Sequence, residues 1–142
     1  MQQAATLQRH FEFSRLGAQP AAPEIPRLLL MRWDGIEFWE RNLCERDRTS
    51  LNDVKRAIGT LKNVVEGCRG SAPTASGFDA CKIAFEHVAK VSRRVGNDLR
   101  MFSDDKNQTQ LWRGKHIAHL LEGIEDESTA ASDAAAEFGS GY

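Results

Sequence analysis

The chain has no C-x-x-C pair and no stretch approaching the roughly 18 consecutive apolar residues that a membrane-spanning helix needs. Nor does it carry an excess of either charge: 19 Lys and Arg stand against 20 Asp and Glu, a formal net charge of -1. Each absence removes a class of protein. Without clustered cysteines there is neither a disulfide framework nor a zinc knuckle, and Cys44, Cys68 and Cys81 read as reduced thiols. Without a long apolar run no membrane partner is expected. Without a basic excess the chain is no wholesale nucleic-acid binder, and any RNA contact must come from a local patch. The opening MQQAATLQRHFEFSRL lacks the charged start and apolar core of a signal peptide, so a cytoplasmic location is expected. No convincing apolar alternation occurs, so strands are not expected.

What is present is helical spacing. All four prolines fall in two breaks, GAQPAAPEIP at 17–26 and GSAPTASG at 70–77, each of which also begins with a glycine. Before the first, Leu7 and Phe11 give a short, weakly amphipathic helix over 2–16. Leu29, Trp33, Ile36, Trp39 and Leu43 predict a helix over 27–48, with Pro26 at its start; Gly35 weakens it and leaves a strand over 28–33 as the alternative. Leu51, Val54, Ile58, Leu61, Val65 and Cys68 keep a 3-4 spacing after Ser50, which reads as an N-cap with Asp53 three residues on. Phe78, Cys81, Phe85, Val88, Ser92, Val95, Leu99 and Phe102 repeat the spacing, with one polar position in the seam. A polar turn, SDDKNQ, leads to a last helix over 109–125.

The expected architecture is therefore all-α: a bundle of four or five helices built around a long antiparallel helical hairpin. One domain spans 1–126. Residues 127–142, rich in small side chains, form a C-terminal tail expected to be mobile unless a partner holds Phe138 and Tyr142.

The segment LWRGKHIAHLL, 111–121, places an arginine, a lysine and two histidines on the last helix. On a helical wheel Ile117, Leu120, Leu121 and Ile124 form its core face, while Trp112, His116, His119 and Gly123 form a second stripe suited to close approach of another chain or a ligand. His116 and His119 lack a carboxylate or cysteine at matched spacing, so no metal site and no cofactor are expected. The plainer reading is a solvated face.

Arg113-Gly114-Lys115-His116-Ile117-Ala118-His119 resembles the R-x(4-6)-H signature of HEPN domains (higher eukaryotes and prokaryotes nucleotide-binding), with five intervening residues and an I-A-H ending. The resemblance implies an all-α bundle and metal-independent RNA cleavage at a cleft between two subunits. Arg113 and His119 would be the catalytic pair. An imidazole exchanges the proton of the attacking 2′-hydroxyl near neutral pH, and a guanidinium clamps the phosphate. Lys115 and His116 would be auxiliary phosphate ligands, and Arg93, Arg94 and Arg100 would extend a basic patch toward the RNA backbone; their alternative is a solvated face balanced by Asp98, Asp104 and Asp105. Gly114 departs from the pattern, since the residue after the arginine is usually polar in catalytic members.

On one helix Arg113 and His119 lie about 120° apart, so either Gly114 loosens the first turn or two copies combine motifs across a two-fold axis, with Trp112, His116 and Gly123 as interface. The leading expectation is a HEPN-like ribonuclease of the toxin or defence kind, or a degenerate relative that binds RNA or a protein, working as a homodimer or with a partner. The alternative is a non-enzymatic helical bundle for assembly, immunity or a phage or coat-like role.

Overall fold

The structure is a computed structural model that describes residues 24–69, 74–101 and 108–139. The helix expected over 2–16 and the turn at 103–107 lie outside the described residues. Four helices, and no strand, occur among those described: α1 (Arg27–Glu40), α2 (Glu45–Arg69), α3 (Ala75–Met101) and α4 (Gln108–Gly139). The chain is all-α, as its spacing predicts.

α1 opens on Pro26, whose extended backbone and missing N–H suit a helix start; its carbonyl accepts from Leu29 N at 3.1 Å. Leu29, Trp33 and Ile36 are buried on the inner face, which settles helix over strand. The helix expected over 27–48 is interrupted. Asn42 N bonds Trp39 O at 3.0 Å and Leu43 N bonds Glu40 O at 3.1 Å, a tightened turn that tucks Leu43 into the core. The next helix begins at Glu45, with Glu45 and Asp47 in its first turn, where carboxylates complement the helix dipole. Ser50 is therefore not a cap. It lies inside α2 and donates its Oγ back to Arg46 O at 3.2 Å, as Thr49 does to Glu45 O at 2.8 Å. The cap that the structure does build is Thr74, whose Oγ1 accepts from Gly77 N at 3.0 Å and starts α3.

The core joins all four helices through Leu29, Ile36, Leu51, Ile58, Leu61, Phe85, Leu99, Ile117, Leu121 and Ile124, each essentially inaccessible. α3 packs on both α2 and α4, and α1 packs on α4; the most extensive contact is between α3 and α4. Small residues set that closeness. A Cβ on Gly114 would stand 3.6 Å from Leu99 O, and one on Gly96 would stand 3.7 Å from Leu121 Cβ, so the two backbones nearly touch. The bundle is thus centred on α3 and α4 rather than on the pair spaced most regularly in sequence.

Residues 127–139 of the expected tail are instead the second half of α4; Tyr142 and the Phe138 side chain lie outside what is described. Ser128, Ala131, Ser132, Ala134 and Ala135 are buried, and Ser132 Oγ donates to Lys82 O at 3.3 Å. Alanine is the strongest helix former, and its small side chain lets α4 lie flat on α3 where larger groups would hold it away.

Candidate functional site

The R-x5-H segment lies inside one unbroken helix, so Gly114 does not loosen the turn. Ile117, Ala118, Leu121 and Ile124 face the core, with Leu120 half-buried beside them. The neighbouring face meets α1, which runs antiparallel to α4 in a regular register. Arg113 Nη1 donates to Asn42 O at 3.0 Å. One turn on, His116 meets the Trp39 ring edge-on, with centroids 6.0 Å apart. Next, Leu120 Cδ1 sits 3.6 Å from where a Cβ on Gly35 would be. Gly123 then receives the side chain of Arg32, whose Cδ and Cζ would lie only 2.7 Å from an added Cβ. Finally Arg32 pairs with Glu127, a largely covered carboxylate whose other oxygen, Oε2, is buried with no hydrogen-bond partner.

This register explains the titratable content of the segment. Arg113, His116, Leu120, Gly123 and Glu127 recur at steps of 3, 4, 3 and 4 because they form the seam that seats α1. Gly123, expected at an interface between subunits, is covered by the chain's own Arg32, and His116 by its own Trp39. The Trp112 side chain lies outside the described residues. His119 falls off the seam and is exposed, as is Lys115. Six residues apart on a continuous helix, Arg113 and His119 diverge by about 120°, one toward a backbone carbonyl and the other toward solvent. Within one subunit the two side chains therefore point apart.

The proposed basic patch is also divided. Arg94 bonds Asp53 at 2.7 Å, and the same carboxylate takes Arg56 at 2.5 Å. Arg100 bonds Glu122 at 3.0 Å across to α4. Arg93 is exposed. A cleft of about 340 Å³ between α2 and α3 is lined by Asp53, Arg56, His87 and Arg94. An anion entering it would have to displace Asp53 from two guanidinium groups. Among the described residues no three His, Cys, Asp or Glu side chains gather as a metal site requires, and no described helix is long and apolar enough to cross a membrane.

No family model, curated protein or solved structure matches this chain. The apolar feature that the core does not use is the outer face of α1. Leu28, Met31 and Phe38 are exposed by 57%, 57% and 61%. They fall at steps of 3 and 7 along the helix. The signal was in the same 14 residues read for their inner stripe: α1 carries two apolar stripes, and only one is needed for the core.

The seam assigns different roles to the two motif residues. Arg113→Ala is expected to lower stability by about 1–2 kcal/mol, through loss of a charge-assisted hydrogen bond to the turn after α1. His119→Ala should stay within about 0.5 kcal/mol of the parent, as exposed substitutions do. Urea denaturation of the two variants distinguishes these outcomes.

Proposed function

We propose that the chain is a non-enzymatic helical interaction module that docks a heptad-patterned helix of a different protein along the outer face of α1. The observation that carries this is the exposed stripe of Leu28, Met31 and Phe38 at a, d and d positions of successive heptads, the intervening a position being the half-buried Gly35 that faces Leu120. Burying large apolar side chains contributes about 1.5–3 kcal/mol each, enough for three of them to hold a partner.

The flanking charges choose the partner. Arg27, Asp34 and Arg41 recur every seven residues along one edge of the seam, all exposed, with Arg41 standing 5.8 Å over the Phe38 ring. A second copy paired antiparallel in this register sets Arg27 against Arg41 and Asp34 against Asp34. A parallel copy sets Arg27 against Arg32. Like charges at these positions disfavour self-pairing, and a helix carrying acidic, basic and acidic groups in turn is the complement. Of the two partners expected from sequence, a homodimer or another protein, this reading favours the second.

The test uses synthetic three-heptad peptides with apolar a and d positions and flanking charges either complementary to Arg27, Asp34 and Arg41 or reversed. The complementary peptide should bind the monomeric chain at least tenfold more tightly, and Phe38→Glu should abolish binding while leaving the circular dichroism melt unchanged. Equal binding of both peptides, or self-association lost with Met31→Glu, would overturn the reading. So would RNA cleavage by the purified chain that disappears with His119→Ala, which would restore the HEPN-like ribonuclease built from two subunits.

A further inference from the structure

The antiparallel arrangement of α2 and α3 brings two thiols together at the end where the helices are joined. Cys68 lies in the last turn of α2 and Cys81 in the second turn of α3, and their sulfurs are 3.3 Å apart. Cys81 is fully buried, whereas Cys68 is half-buried and reachable from solvent. The start of α3 is shaped around the Cys68 sulfur. Gly77 O lies 3.4 Å from it, and a Cβ on Gly77 would stand 3.4 Å from the same atom, so a larger residue there would crowd the pair.

We propose that Cys68 and Cys81 are a modification site, a dithiol that closes to a reversible intramolecular disulfide by exchange with a small-molecule disulfide. The sulfurs have to approach by little more than 1 Å to reach the bonded distance of about 2.05 Å. Cys68 attacks first, as its thiolate, on one sulfur of the small disulfide. The S–S bond of the reagent breaks, a mixed disulfide forms on Cys68, and one small thiolate leaves. Cys81 then loses its proton to that leaving group and attacks Cys68 Sγ, expelling the second small thiol. In total two protein thiols and one small disulfide give one protein disulfide and two small thiols, with two electrons passing from protein to reagent.

The environment sets this order. Burial, reinforced by the hydrogen bond and charge of Cys68, pushes the Cys81 thiol up to about 12. It therefore stays protonated until the mixed disulfide stands beside it, which makes Cys68 the entry point and Cys81 the resolving sulfur. Cys44 is exposed in the turn before α2 and has no such neighbour, so it stops at the mixed disulfide. Closure clips the last turn of α2 to the start of α3; excess thiol reopens it.

The experiment treats the full chain with excess oxidised glutathione, quenches with an alkylating agent, and maps the thiols by mass spectrometry of intact and digested protein. The expected product has one glutathione on Cys44, a Cys68–Cys81 cross-linked peptide and the loss of two hydrogens. Cys81→Ala should trap a glutathione adduct on Cys68, and Cys44→Ala should close at the parent rate. Recovery of Cys68 and Cys81 as free thiols while Cys44 is fully modified would overturn the proposal. So would a cross-link between molecules in place of the internal one.

Discussion

A chain that stops after Asp126 is expected to lose about 3–5 kcal/mol of stability and to melt at least ~10 °C lower. The antiparallel register fixed by Ser132 on Lys82 brings residues 135–136 beside the start of α3, where Phe78 is only 1% exposed. Uncovering a buried phenylalanine costs about 2–3 kcal/mol, and each buried methyl of Ala131, Ala134 and Ala135 adds roughly 0.8 kcal/mol before the regained chain entropy is subtracted. Thermal and urea unfolding of the truncated and full chains measure the difference. An unchanged melt would mean that residues 127–139 contribute nothing to the bundle, as a loose tail would.

The second large effect is expected at Gly123. Gly123→Leu drives the Arg32 side chain off α4 and separates it from Glu127, whose second oxygen already lacks a partner. Leaving a mostly covered carboxylate unpaired costs several kcal/mol when the pair is fully buried; with the Arg32 side chain 35% exposed the figure falls to about 2 kcal/mol. Crowding between α1 and α4 raises the total to about 3 kcal/mol. Arg32→Ala alone should cost about 2 kcal/mol, and the double variant markedly less than the sum, because both changes break the same contact. Additive costs would show that Arg32 does not rest on Gly123. A stable Gly123→Leu protein that had merely lost self-association would return this position to an interface between copies.

Much of the helical framework was legible because a 3-4 spacing needs no partner to be recognised. The runs from Leu51 to Cys68 and from Phe78 to Leu99 became α2 and α3, with Ser92 buried at the one polar seam position. Boundaries were less legible. The turn at 41–44 contains neither glycine nor proline, and depends on backbone bonds and on Arg113, 71 residues away, reaching Asn42 O. The second half of α4 was missed because alanine and serine carry no apolar stripe. They bury themselves only because α3 offers a flat surface for them, and that is a tertiary fact.

At the candidate site the wheel grouped His116 with Gly123 correctly, but it could not say what would cover them. His119 joined the group by angle and left it in space, since α1 follows the register of Arg113 and Glu127. Cys68 and Cys81 both occupy apolar stripe positions on either side of a short link. Two helices that double back across such a link set its flanking residues side by side, so their meeting could have been anticipated.

α4 measures about 48 Å at 1.5 Å per residue, while α1 measures about 21 Å and lies only along the half running from Arg113 to Glu127. The rod therefore has two stretches: up to Glu127 it is held between α1 and α3, and beyond it serves as a keel for α3. Changes to the alanine end beyond Glu127 therefore tune the α3–α4 contact and leave the seat of α1 in place.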